Sequence, residues 1–153
     1  MLKLVKNKGH IHAPYYGVVT LSYDERVKGR LKSALESGEE VGLFLERGKV
    51  LQDGDVLESE CGRLVLVKSL PEQVVIVRTN DWFTFSRCCY HLGNRHVPLE
   101  IGALWLRMKS DHVLEDMVRL LGLDIESEVA PFNPESGAYS GSSHAHKHGH
   151  SHG

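Results

Sequence analysis

At 153 residues with 41 % apolar side chains, the chain can build one mid-sized domain or two small ones. Its 18 Lys and Arg against 20 Asp and Glu leave a formal charge of −2, which excludes the basic footprint of a protein that grips nucleic acid or an anionic membrane. No stretch approaches the roughly 18 to 20 apolar residues of a membrane span, and the opening MLKLVKNKGHIH lacks a signal-peptide core, so the expectation is a soluble, cytoplasmic protein.

Short β-type runs over 17–21, 41–45, 55–58 and 63–68 are separated by Gly and Asp signals. Asp53-Gly54-Asp55 is a strong turn between two of them, and Gly62 offers another break before an apolar run. With Gly54 between them, the two aspartates read as turn residues and not as an acid–base pair. Residues 1–70 are therefore expected to form a β-rich domain with sheet-on-sheet or barrel packing.

At Leu70 and Pro71 the pattern changes, and helix-like segments appear. A β-branched run covers 73–78. Asp81 can cap a helix whose Phe85, Cys88, Cys89 and Leu92 fall at i, i+3, i+4 and i+7, with Gly93 as its expected stop. Strand-like runs over 97–101 and 103–108 flank Gly102. Ser110 is then the expected cap of a helix running to Gly122, with Leu114, Met117, Val118 and Leu121 on its buried stripe. A last strand over 124–130 completes the order β, α, β, β, α, β, that of the ferredoxin-like plait. The expected fold class is thus α+β, with this second domain over 71–135.

From 136 onward Gly, Ser and His dominate, with too little apolar area to offset the entropy of ordering. The expectation is a flexible, disordered tail. It ends HAHKHGHSHG, which places His144, His146, His148, His150 and His152, half of the chain's 10 histidines, at alternate positions. Neutral imidazole ligates Ni²⁺, Zn²⁺ and Cu²⁺, so a strip of imidazoles can wrap a divalent cation. Affinity tags are usually unbroken histidine runs, whereas here Ala145, Lys147, Gly149 and Ser151 intervene irregularly.

In the body of the chain, His96 follows the first helix of the second domain and His112 starts the second. Spacing alone describes each as a surface or junction histidine. His91 suits the dipole at a helix C-terminus, and the alternating His10 and His12 do not define a site. Three cysteines without CxxC spacing point to no disulfide framework or zinc knuckle, and Cys88 and Cys89 read as core residues. The sequence contains no GxSxG, GxxxxGK[ST] or HExxH motif, so an enzyme is not expected.

The segments YHLGNRHVPLEI (90–101) and DHVLEDMVRLLGL (111–123) resemble the two signature segments of the UreE family of urease accessory metallochaperones. RGKVLQDGDVL, GAYSG and the histidine-rich end extend the resemblance over most of the chain. It implies an N-terminal domain like the peptide-binding part of Hsp40 chaperones, then a ferredoxin-like metal-binding domain. It also implies a homodimer through the second domain, in which His96 of both subunits binds one Ni²⁺, while His112 matches a histidine that many relatives use for additional or weaker metal binding. Some relatives carry another histidine where this chain has Ser110, which weakens a paired site there. The partners implied are the GTPase UreG and a complex of apo-urease with its other accessory proteins. Two imidazoles shared across a two-fold axis leave coordination positions open, which suits a carrier better than a closed four-ligand cage. Imidazole chemistry alone ranks Cu²⁺ above Ni²⁺ and also admits Zn²⁺, and a store or buffer of divalent metal is the rival reading.

Overall fold

In the computed structural model, which describes residues 1–136, the chain forms two compact units, Met1–Ser69 and Leu70–Glu135. Among the described residues of the first unit are β1 (Leu2–Asn7), β2 (Gly17–Leu21), α1 (Tyr23–Val27), β3 (Arg30–Ala34), β4 (Glu40–Phe44), β5 (Val56–Ser59) and β6 (Leu64–Ser69). The six strands form one sheet in the order β2-β6-β5-β1-β4-β3. The pairs β1–β4 and β2–β6 are parallel, and the other three are antiparallel. An antiparallel bridge between Val19 and Leu35, beside a 2.8 Å bond from the Glu36 N–H to the Val18 carbonyl, ties the two ends of this sheet together. The sheet thereby curls around Leu4, Val19, Leu21, Val41, Leu43, Leu57, Val65 and Val67.

Two strands of this unit, β1 and β3, are not among those expected from the sequence. In β1, LKLVKN, only Leu2 and Leu4 are buried. In β3, RLKSA, no residue is fully buried, and Leu31 packs only partly against the core. Alternation over so short and charged a stretch is a weak signal, and pairing with β4 supplies what it lacks. The aspartates around Gly54 hold the turn, as read. Asp53 Oδ1 accepts from the Ser69 N–H at 2.8 Å, and Asp55 Oδ2 accepts from Asn7 Nδ2 at 3.0 Å and the Gln52 N–H at 2.9 Å. Gly54 supplies a φ of 90° that an L side chain would resist.

The second unit runs β7 (Pro71–Arg78), α2 (Trp82–Asn94), β8 (Glu100–Ile101), β9 (Trp105–Lys109), α3 (His112–Leu120) and β10 (Asp124–Pro131). Its sheet order is β10-β7-β9-β8, with every pair antiparallel. Val75 and Val77 belong to a core with Phe85, Cys88 and Leu92 of α2, Leu106 and Met108 of β9 and Val118 of α3. The predicted stripe on α3 is only partly confirmed: Val118 is fully buried, while Leu114, Met117 and Leu121 pack against the core half-buried.

Val74 and Ile76 lie on the opposite face of β7 and are buried as well. Arg107 on β9 pairs with Glu128 on β10 at 2.6 Å and with Glu100 on β8 at 3.3 Å. Because β7 lies between β9 and β10, the Arg107–Glu128 pair crosses above these two apolar side chains, and the arginine stem helps to cover them.

Local chemistry moves several boundaries. Pro71 opens β7 without breaking the chain, since the first residue of a strand tolerates a missing N–H. Asp111, not Ser110, caps α3 by accepting from the Leu114 N–H at 3.1 Å, while the Ser110 hydroxyl bonds Glu115 at 2.8 Å. In the turn joining β8 and β9, Gly102 is required for a steric reason: a β-carbon there would collide with the Trp105 indole. Gly102→Ala is expected to displace that ring and destabilise the protein by about 1–3 kcal/mol. A lowered thermal midpoint with a red-shifted tryptophan emission would show it, and an unchanged midpoint would count against this packing.

Candidate metal-binding site

Helix α2 begins at Asp81, whose Oδ2 accepts from the Thr84 hydroxyl at 2.6 Å and the Thr84 N–H at 2.9 Å. Those bonds favour the carboxylate and hold its pKa below the ordinary 3.8. A depressed folded-state pKa means that the cap stabilises α2 above pH 3.8 and loses that contribution as acid protonates it. Asp81→Asn, which still accepts but does not titrate, is therefore expected to give a shallower acid unfolding limb by circular dichroism. Equal limbs would remove Asp81 from the account of acid sensitivity.

The helix buries Phe85, Cys88 and Leu92. The face turned away from them carries Phe83, Arg87, Tyr90 and Asn94, spaced i, i+4, i+7 and i+11. Phe83 and Tyr90 are 70 % and 68 % exposed, and the Arg87 guanidinium lies 5.7 Å from the Phe83 ring centre. Gly93, the expected stop, lies inside the helix, which continues to Asn94 with Arg95 as its C-cap. The residue that turns the chain is His96, exposed and with φ 58°. The expected functional histidine is thus also the residue that breaks the helix direction.

His112 occupies the first position of α3 with its side chain 91 % exposed, and its Nε2 is 3.6 Å from Asp116 Oδ2 one turn along. Asp116 is not among the residues expected at the site, although its i, i+4 spacing from His112 is a signal the sequence carries. His91 packs edge-to-face with Tyr90 at 5.2 Å. In the first unit, His10 Nε2 lies 3.3 Å from Asp55 Oδ1, a pairing of residues 45 positions apart that no local pattern announces. Among the described residues, no three His, Cys, Asp or Glu side chains converge as a metal-binding group, and His96 and His112 are not brought together in one such group. The tail histidines His144, His146, His148, His150 and His152 lie outside the described residues.

The cysteines separate by environment. Cys88 is buried, and desolvation with Cys89 beside it pushes its pKa up to about 11, while burial also raises Cys89. Burial thus disfavours the thiolate form of both. Cys61 is exposed, and a hydrogen bond with the Ser59 hydroxyl at 3.2 Å lowers its pKa. No helix among the described residues is long and apolar enough to cross a membrane.

Both halves of the chain match family models. Residues 2–69 match the UreE urease accessory protein N-terminal domain, and residues 72–153 match the UreE urease accessory protein C-terminal domain. The chain belongs to the UreE family of urease accessory proteins. Its relatives include the urease accessory protein UreE of a Marinomonas species, 53 % identical over 146 residues that cover 94 % of this chain and 99 % of the relative. The UreE of Alteromonas mediterranea is 47 % identical, covering 95 % of each chain, and that of Vibrio parahaemolyticus is 50 % identical, covering 84 % of each. The chain therefore has the two-domain UreE architecture, β-rich first and mixed α/β second. His96, His112 and the exposed face of α2 all fall in the C-terminal UreE domain, and the His10–Asp55 pair falls in the N-terminal one.

Proposed function

We propose that this protein is a cytoplasmic nickel metallochaperone for urease, a homodimer in which the two His96 imidazoles bind one Ni²⁺ and pass it on for assembly of the urease active site. The observation that carries this reading is the placement of His96: exposed, at the end of a helix whose outer face bears the exposed Phe83 and Tyr90, in a chain of the UreE family. Exposed aromatics grouped on one helix suit a protein–protein contact. Self-association with the two-fold axis beside His96 would give a cation a second imidazole, because in an isologous interface a residue next to the axis meets its own copy.

In this reading the tail imidazoles, His144 to His152, capture metal and raise its concentration near the body. His112, with Asp116 one turn away, offers a weaker accessory position. The immediate recipient is the GTPase UreG, within a complex containing apo-urease. Zn²⁺ and Cu²⁺ also suit these ligands, and nickel as the cargo follows from the urease connection. The domain limits that go with this function are 1–70, 71–135 and a tail over 136–153. The second domain reads as a ferredoxin-like plait, supported by the βαββαβ order and by the fourth, first, third and second of its strands lying side by side. The first reads as a client-binding domain of the Hsp40 type, supported by its β-rich build.

Five tail imidazoles favour a second reading, a nickel store with no recipient. Calorimetric Ni²⁺ titration of the full chain and of a chain ending at Ser143, each with its oligomer mass measured, separates the two. A carrier is expected to keep one tight ion per dimer without the tail and to support urease activation at low nickel supply. A shortened chain that loses all tight binding would leave the store as the better description.

A further inference from the structure

The end of α2 is a Schellman turn, and its left-handed position is taken by a histidine. Counting back from the C-cap Arg95, the His96 N–H donates to the Gly93 carbonyl at 2.9 Å, and the Val97 N–H donates to the Leu92 carbonyl at 3.4 Å. These are the two bonds of that motif, and its usual apolar contact has its partners in place: Leu92 is fully buried, and Val97 packs against the same core. The residue between them must adopt positive φ, a position usually given to glycine because a β-carbon is unfavourable there. Here it is His96 at φ 58°. Gly93, three residues earlier, sits in the helix with nothing within 4 Å of where its β-carbon would stand. The chain thus spends its glycine where the fold does not need one and keeps a side chain where glycine would suit the fold better.

We infer that this turn is the positioning device of the nickel site, and that Val97 is a positioning residue for His96. The inference rests on the reading of His96 as a nickel ligand. His96 is exposed, and without the turn its backbone would be free to continue the helix or to fray, each swinging the imidazole through a wide arc. With its own N–H bonded to Gly93 and the next residue anchored in the core, the backbone of His96 has one orientation before metal arrives. Less freedom is then lost on binding, which raises affinity without adding a contact. The retained strain follows the common pattern in which a functional residue holds a conformation the fold alone would give to another.

The test uses the chain ending at Ser143 as a dimer, with Ni²⁺ titrated by calorimetry, thermal midpoints and oligomer mass recorded in parallel, and Val118→Ala as a core control distant in sequence from the turn. Val97→Ala is expected to weaken nickel binding about tenfold, well beyond Val118→Ala at a comparable loss of thermal midpoint, and Val97→Ile is expected to restore it. His96→Gly is expected to raise the thermal midpoint while the tight site is lost, whereas His96→Ala loses the site without that gain. Loss of affinity that merely tracks the midpoint in both core variants, or a lower midpoint for His96→Gly, overturns the positioning role. Unchanged nickel affinity in His96→Ala would instead remove His96 as the ligand, an outcome the His96→Gly midpoint does not share.

Discussion

Replacing His96 by alanine is expected to weaken the tight nickel site by about 100-fold or more. Removing a group that only supports a metal ligand costs 10- to 100-fold in affinity, so deleting the ligand should cost at least as much. In a symmetric dimer one substitution deletes two imidazoles from the same ion. The fold should tolerate it, because the side chain is exposed and alanine meets a similar penalty at φ 58°. The measurement belongs in the chain ending at Ser143, so that the five tail imidazoles do not mask the loss. An affinity within about threefold of the parent, less than 1 kcal/mol, would show that the tight ion sits elsewhere.

The double substitution of Phe83 and Tyr90 by aspartate should have an effect of similar size by a different route. Both side chains are largely exposed in the isolated chain, so the second unit should fold as before and keep its circular dichroism. In a dimer through this face, two buried aromatics per subunit would be replaced by carboxylates buried in the interface. Aromatic anchors at the centre of an interface commonly contribute 2 kcal/mol or more each, and unpaired buried charge adds to the loss. The dimer dissociation constant is therefore expected to rise by about 1,000-fold, seen as a monomer by sedimentation. Nickel affinity should fall with it although His96 is untouched. A variant that stays dimeric places the interface on another surface, and one that becomes monomeric yet keeps tight nickel separates the site from the dimer.

These expectations draw on features of uneven visibility in the sequence. The apolar positions of α2 recur at helical spacing because one face meets the sheet, so Phe85, Cys88 and Leu92 could be read as buried. The end of that helix could not be read from the same pattern. Gly93 is the usual stop signal, but the core anchors Val97 and closes the turn around His96 instead. The cap of α3 is Asp111, one residue beyond the expected Ser110, for a similar reason: serine and aspartate are both good caps, and the choice lies in which one meets the Leu114 N–H. Asp116 and the His10–Asp55 pair became visible only when side chains could be placed in space.

The sequence by itself determined the family, the β-rich first half and the alternation of strands and helices in the second. Each depends on local periodicity or on contiguous segments, which a linear chain displays directly. Tertiary structure alone decided that β1 and β3 are strands: the alternation of each is weak, the partners of β1 lie far away in sequence, and β3 is held as a strand by its pairing with the neighbouring β4. It also decided that an Arg107–Glu128 pair crosses β7, and that His96 occupies a position where glycine is usual. That last choice depends on the hydrogen bonds and core contacts of the residues on either side, which exist only once the helix and sheet have packed.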